Sequence, residues 1–173
     1  MKIVVLNGSP RPNGNTQAMV AAFAEGAREQ GHDVSIVSVG QKKISGCIGC
    51  EYCHTKGNGA CVQKDDMQEL YPALQEAEML VLASPVYYFG LSGQLQCVIS
   101  RFYAIGKPKK LRKTALILSS GSDDVYEGAI YAYRKSFPEF LGVEDMGVFT
   151  AFGEQNKSPE KLQELKDFGR GLV

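Results

Sequence analysis

The chain has 173 residues, 44% apolar and 22% charged, which suits one domain with a full hydrophobic core; with 5 cysteines it is too sparse in sulfur for a disulfide scaffold. Nineteen Lys and Arg balance 19 Asp and Glu, so no global field draws it to nucleic acid or anionic lipid, and no apolar run approaches the ~18 residues that span a bilayer. The start Met1-Lys-Ile-Val-Val-Leu-Asn-Gly-Ser9 lacks the sections of a secretory signal, so the expected compartment is the reducing cytoplasm and the expected partner a small molecule.

In chain order, the β-branched run Lys2 to Asn7 predicts a strand that Gly8 ends, and helical periodicity follows from Thr16 to Arg28. The alternation continues with strands at Asp33–Val39, Met79–Ser84, Thr114–Ser119 and Glu144–Phe149. Helices are expected at Asp65–Ala77, Ser92–Ala104, Glu127–Leu141 and Ser158–Gly169. Five such units predict a single α/β domain over residues 1–173, a parallel sheet with helices on both faces. Ligands of such sheets bind beyond the carboxyl ends of the strands, beside the point where strand order reverses, so the loops after the strands carry the functional expectation. The one charge run, Lys107-Pro-Lys-Lys-Leu-Arg-Lys113, precedes the fourth strand; it reads as a solvated loop, with a patch for a cofactor's phosphate as the sharper alternative.

The loop Gly8-Ser-Pro-Arg-Pro-Asn-Gly-Asn-Thr16 joins the first strand to the first helix. Ser9, Asn13, Asn15 and Thr16 offer hydroxyl and amide donors beside the free N–H groups of a helix start, and Arg11 adds one cation; this is an anion cradle. It matches neither the Walker pattern nor G-x-G-x-x-G, and Val39-Gly40-Gln41 offers no acidic residue for a ribose. After the third strand, Pro85, Val86, Tyr87, Tyr88, Phe89 and Gly90 suit a flat heteroaromatic: backbone groups to read a ring edge, and apolar faces beside it. After the fourth, Ser120 and Gly121 bring the backbone close to such a ring, while Asp123 and Asp124 read as caps for the next helix. Tyr126, Tyr131 and Tyr133 suggest an aromatic oligomer interface near the ligand, with ordinary core packing as the alternative.

The segment at about 44–63 concentrates sulfur as C-x2-C-x2-C-x7-C: Cys47, Cys50, Cys53 and Cys61. Three occupants suit the spacing: an iron–sulfur cluster, a zinc ion with His54 able to replace one sulfur, or thiols without metal. Cys97, beside Leu95 and Val98, reads as a core residue.

The motif Gly8-Ser-Pro-Arg-x-x-Gly-Asn-Thr16, with Ser84-Pro-Val-Tyr-Tyr-Phe-Gly90, resembles the flavodoxin-like NADPH-dependent FMN reductases from the N-terminus to about Tyr133. The resemblance implies a flavodoxin-like three-layer sandwich with strand order 2-1-3-4-5, FMN as cofactor, and its phosphate on Ser9, Arg11, Asn15 and Thr16. It further implies NAD(P)H as hydride donor, a small-molecule or ferredoxin-like redox partner, and a homodimer or homotetramer. Within that family the iron–sulfur flavoproteins carry a compact cysteine motif before an Asp-Asp-Met start like Asp65-Asp66-Met67, which implies a [4Fe-4S] cluster on Cys47, Cys50, Cys53 and Cys61. No side-chain acid or base is singled out as catalytic. The rival readings are an electron carrier without its own substrate and a zinc-stabilised binding module.

Overall fold

The computed structural model describes residues 1–173. Five parallel strands form the sheet: β1 (Lys2–Asn7), β2 (Asp33–Val37), β3 (Met79–Tyr87), β5 (Lys113–Ser120) and β6 (Glu144–Phe152), in spatial order β2-β1-β3-β5-β6. A two-residue strand, β4 (Gly90–Leu91), turns back antiparallel on the end of β3. Without that short return the order is the expected 2-1-3-4-5 flavodoxin-like one. The α/β class and the expected elements stand, with boundaries moved by a few residues.

Alternation along each strand sends successive side chains to opposite faces. Ile3, Val5, Met79, Val81, Ala83, Ala115 and Ile117 face one core with Met19, Val20 and Phe23 of α1 (Asn15–Glu29) and Leu165 of α5 (Pro159–Arg170). Val4, Leu6, Leu80, Leu82, Leu116 and Leu118 face the other, under α2 (Met67–Glu76), α3 (Gly93–Arg101) and α4 (Glu127–Arg134). Each such burial is worth roughly 1.5–3 kcal/mol, so the three central strands anchor the molecule. The expected helix to Leu141 forms in two parts: α4 passes into a wider π-type stretch, Lys135–Leu141, which contains Pro138. A proline inside a helix lacks the N–H that would continue the regular ladder.

Several expectations are corrected by packing. Tyr133 is fully buried, its hydroxyl donating to Asp145 Oδ1 at 2.7 Å, and buried Tyr126 pairs with Ser120 Oγ at 2.7 Å, so only Tyr131 of the three tyrosines is free for an interface. Cys97 is half-buried, its Sγ close to Gly46, and stands outside both cores. The charge run lies at the amino end of β5, away from the strands' carboxyl ends; Lys110 pairs with Glu76 there, as a solvated loop would. Asp123 and Asp124 do not cap α4, which begins after Tyr126. No helix is long and apolar enough to cross a membrane.

The closest helix contact lies between α1 and α5. A Cβ on Gly26 would stand 1.9 Å from the Lys166 carbonyl oxygen, and one on Gly169 would stand 2.4 Å from that of Phe23. Ion pairs from Lys166 to Glu25 and Glu29 and from Arg170 to Glu29 seal the outer rim. Gly26→Ala is therefore expected to lower stability by about 1–3 kcal/mol through overpacking. Gly93→Ala, where a new Cβ meets nothing within 4 Å, is expected to leave stability equal or raised. Denaturant midpoints of the two variants check this.

Candidate functional site

The expected cradle forms at the carboxyl ends of β1, β3 and β5. Ser9, Arg11, Asn13, Asn15 and Thr16 line one open cleft of about 790 Å³ with Pro85, Val86, Tyr87, Ser120 and Gly121. The sequence reading missed Pro12, Gly14, Ser119, Gly153 and Lys157, which also line it. Lys157 lies over a hundred residues from Arg11 and belongs to no recognisable loop motif. Its Nζ donates to the Asn13 carbonyl at 3.3 Å, so the turn after β6 brings a second cation to the cleft.

Local hydrogen bonds shape the cradle. Ser9 N donates to Asn7 Oδ1 at 3.0 Å and Arg11 N to Ser9 Oγ at 3.2 Å, which curls the loop inward. Gly40, in the turn after β2, packs so closely that a Cβ there would stand 2.2 Å from the Ser9 carbonyl oxygen. Helix α1 starts at Gly14 with no side-chain cap and no acidic residue in its first turn, leaving the positive end of its dipole to the cleft. The Thr16 hydroxyl is engaged with Ser119 Oγ at 2.7 Å, so this residue ties α1 to β5.

The segment after β3 departs from the expected loop. Strand β3 continues through Pro85, paired with Ser119, to Tyr87, and Tyr88-Phe89 forms a two-residue hairpin tip to β4. Tyr88, Phe89 and Gly90 stand outside the cleft lining. Tyr88 (φ 47°) and Phe89 (φ 63°) both hold left-handed backbone, a conformation bulky residues resist, and both are exposed.

The four cysteines meet around a second, far smaller pocket of about 10 Å³, lined by Cys47, Cys50, Cys53 and Cys61 with Ile48, Val62, Arg101 and Tyr103. Burial, with the neighbouring Cys61 sulfur, Glu51 and Cys47 adding to it, pushes the Cys53 thiol up. No three His, Cys, Asp or Glu side chains stand where they would hold a metal ion. His54 turns away, its Nε2 against the Tyr103 carbonyl at 2.8 Å and its ring edge-on to Tyr103.

The neck of this loop is tightly held. Asp65 Oδ2 accepts from Ser45 N at 3.0 Å and from Arg101 Nη1 at 2.8 Å, and beside it Lys43 N donates to Asp66 Oδ2 while Asp66 N donates to the Lys43 carbonyl. Burial works against the Asp65 charge, but the Arg101 guanidinium and the Ser45 and Met67 N–H groups outweigh it and hold the carboxyl below the usual carboxylate range.

The chain matches the family model described as NADPH-dependent FMN reductase over residues 1–157. It belongs to that family. Among curated relatives it is 35% identical over 158 residues to an "Iron-sulfur flavoprotein" of Archaeoglobus fulgidus, covering 88% of this chain and 69% of the relative. It spans about half the length of several others, including the Methanosarcina thermophila iron-sulfur flavoprotein, 32% identical over 58% of this chain and 52% of the relative. Among solved structures, an archaeal flavodoxin superposes with TM-score 0.65 at 20% identity, covering 98% of this chain and 94% of that one, which bears out the flavodoxin-like fold of this family member.

Two outcomes are expected. Replacing the strained tip by Tyr88→Asn with Phe89→Gly should raise stability by about 1–2 kcal/mol, read from the denaturant midpoint, because Asn-Gly adopts this backbone at little cost. The depressed Asp65 carboxyl contributes stability that is full above its unfolded value near ~4 and is lost as pH falls through its lower folded value. Amide exchange across residues 45–65 should therefore accelerate below about pH 4 before the core strands open.

Proposed function

We propose that this chain is an FMN-dependent NAD(P)H oxidoreductase of the iron–sulfur flavoprotein kind, with FMN in the cleft at the carboxyl ends of β1, β3 and β5 and a [4Fe-4S] cluster on Cys47, Cys50, Cys53 and Cys61. The single observation that carries the flavin assignment is the cleft itself: two cations, Arg11 and Lys157, and an uncapped helix start gathered at one end, with Pro85, Val86 and Tyr87 beside them. That donor set suits a phosphate at one end and a flat ring along the strand end. Bound FMN supplies hydride acceptance from a reduced nicotinamide and release of the electrons to an acceptor.

The chain's own residues position and desolvate. Ser9, Asn13, Asn15 and Arg11 would hold the phosphate, with Lys157 as a second cation, and Thr16, whose hydroxyl is engaged with Ser119, would add its backbone N–H. Pro85, Val86 and Tyr87 would support the flat ring, and backbone N–H groups near Ser120 and Gly121 would be placed to stabilise negative charge on it. Tyr88, Phe89 and Gly90 lie at the adjacent tip and bound the approach of the second substrate. No side chain is required to move a proton for hydride transfer, so the active centre needs no acid–base pair.

The cluster reading rests on the curated relatives' names and on the donor set: four thiols, two of them exposed, around one small and largely apolar pocket that Arg101 also lines. No three His, Cys, Asp or Glu side chains stand where they would hold an ion, so the placement of the thiols favours neither zinc nor the cluster, and the relatives' names weigh for the cluster. The acceptor is then a small molecule or a ferredoxin-like protein, in keeping with a cytoplasmic homodimer or homotetramer.

Absorption and iron analysis of protein purified without oxygen and reconstituted with FMN tests both assignments; a flavin spectrum with about four irons per chain is expected, and protein that takes up no flavin sinks the reading. Arg11→Ala should weaken FMN binding about 10–100-fold by removing one charge-assisted phosphate contact, with the unfolding midpoint unchanged. Fluorescence titration of the flavin reads the affinity, and an unaltered value assigns the phosphate elsewhere.

A further inference from the structure

Asn156 sits in the turn after β6, is fully buried, and lies behind the wall of the proposed flavin cleft rather than in its lining. Its Nδ2 donates to the Ser120 carbonyl at 2.9 Å and to the Gly153 carbonyl at 2.7 Å, and both of those residues do line the cleft. One amide therefore ties the end of β5 to the turn that brings Lys157 to the site. Its Oδ1 is buried and accepts from nothing. A buried acceptor without a partner is unfavourable, so this amide is a poor choice for stability alone. What its donors control is two carbonyls at the edge of the cleft.

The Ser120–Gly121 peptide is planar and trans, so its N–H points opposite to its carbonyl. With the Ser120 carbonyl turned back onto Asn156, the Gly121 N–H is aimed away from the wall. No backbone carbonyl of the fold accepts from it, and a Cβ on Gly121 would meet nothing within 4 Å, so the space beside it is open. The Ser120 hydroxyl is spent elsewhere, paired with the Tyr126 hydroxyl at 2.7 Å and donating to the Ser122 carbonyl at 2.6 Å. Here the loop after β5 offers the cleft a backbone donor and no side-chain one. Glycine at 121 leaves that peptide free to rotate unless its carbonyl is held.

We propose that Asn156 is a positioning residue for the flavin: by holding the Ser120 carbonyl it fixes the Gly121 N–H toward the flavin ring, where it stabilises the negative charge of the reduced form. The inference rests on the flavin reading above and is independent of any cluster. Its sign is definite, because a fixed donor favours the reduced ring over the oxidised one and so raises the flavin potential. The phosphate carries the same charge in both redox states, so a displacement of Lys157 weakens both alike and leaves the potential where it is.

The experiment is anaerobic redox titration of the full chain carrying FMN, at one fixed pH, followed by flavin absorbance. FMN affinity and the unfolding midpoint are measured on the same samples. Asn156→Ala removes both side-chain donors, and Gly121→Pro removes the N–H itself with Asn156 in place. Each should shift the equilibrium about tenfold toward oxidised flavin, about 30 mV more negative for a two-electron couple. Because Asn156 acts through that N–H, the double variant should shift no further than either single one. A residue that only holds the fold would lower the midpoint and the affinity with the potential unmoved.

If Asn156→Ala takes up no FMN, Asn156→Leu, which keeps the branched shape and supplies no donor, decides by the same sign. If Gly121→Pro takes up none, the sign in the Asn156 variants decides. Potentials at the wild-type value, or shifts that add in the double variant, overturn the role of Asn156 alone, as does loss of folding in both Asn156 variants. Wild-type protein that takes up no FMN sinks the flavin reading and this inference with it.

Discussion

A short chain of buried hydrogen bonds holds the exits of β1 and β3 together, and the site depends on it. Gly8 N donates to the Ala83 carbonyl at 2.8 Å, Ser92 Oγ donates to the Gly8 carbonyl at 2.8 Å, and Ser92 N donates to Ser84 Oγ at 2.8 Å. Ser84 and Ser92 are fully buried, so each bond is made where water cannot replace it and breaking one would strand a polar group. The same Ser92 caps α3 by accepting from Leu95 N. One residue, through its hydroxyl and its backbone N–H, therefore fixes the loop after β1, the end of β3 and the start of the helix that carries Arg101.

That linkage connects two sites of opposite character. The cleft beyond β1, β3 and β5 is wide, polar and cationic, shaped mainly by backbone, and suited to a ligand that brings its own chemistry. The cysteine pocket is small and apolar, lined by Arg101 at the end of α3, and held at its neck by ion pairing to Asp65. The first is stabilised by the sheet, whose three central strands are buried on both faces; the second hangs on one helix and one buried ion pair. Acid or loss of Arg101 should loosen the second long before the first, which gives the two sites separable stabilities within one domain.

Much of this was legible in the chain. The strand and helix periods, the Gly-Ser-Pro-Arg loop and the cysteine spacing are local patterns, and each reappears where expected. Of the two readings open to Tyr126 and Tyr133, interface or core, packing takes the second, because an aromatic's period does not tell whether a partner such as Ser120 or Asp145 stands within reach of its hydroxyl. The Pro85-to-Gly90 segment looked like a loop because Pro and three aromatics break no simple rule; only its pairing with β5 and β4 makes it strand and hairpin. Lys157 and Arg101 carried no local signal, since a lone Lys before a helix and an Arg at the end of one are ordinary surface placements.

The sequence alone determined the class of the fold, the element order, the Gly-Ser-Pro-Arg loop and the presence of four clustered thiols, because these depend on residues near each other in the chain. The tertiary structure decided which cations join the cleft, which tyrosines are buried, and which guanidinium stands behind the cysteines. Those depend on crossovers that bring residue 157 to residue 13 and residue 101 to residues 45 and 65. Burial turns such encounters into chemistry: at the surface Arg101 would be one more solvated charge, and inside the fold its every N–H requires an acceptor.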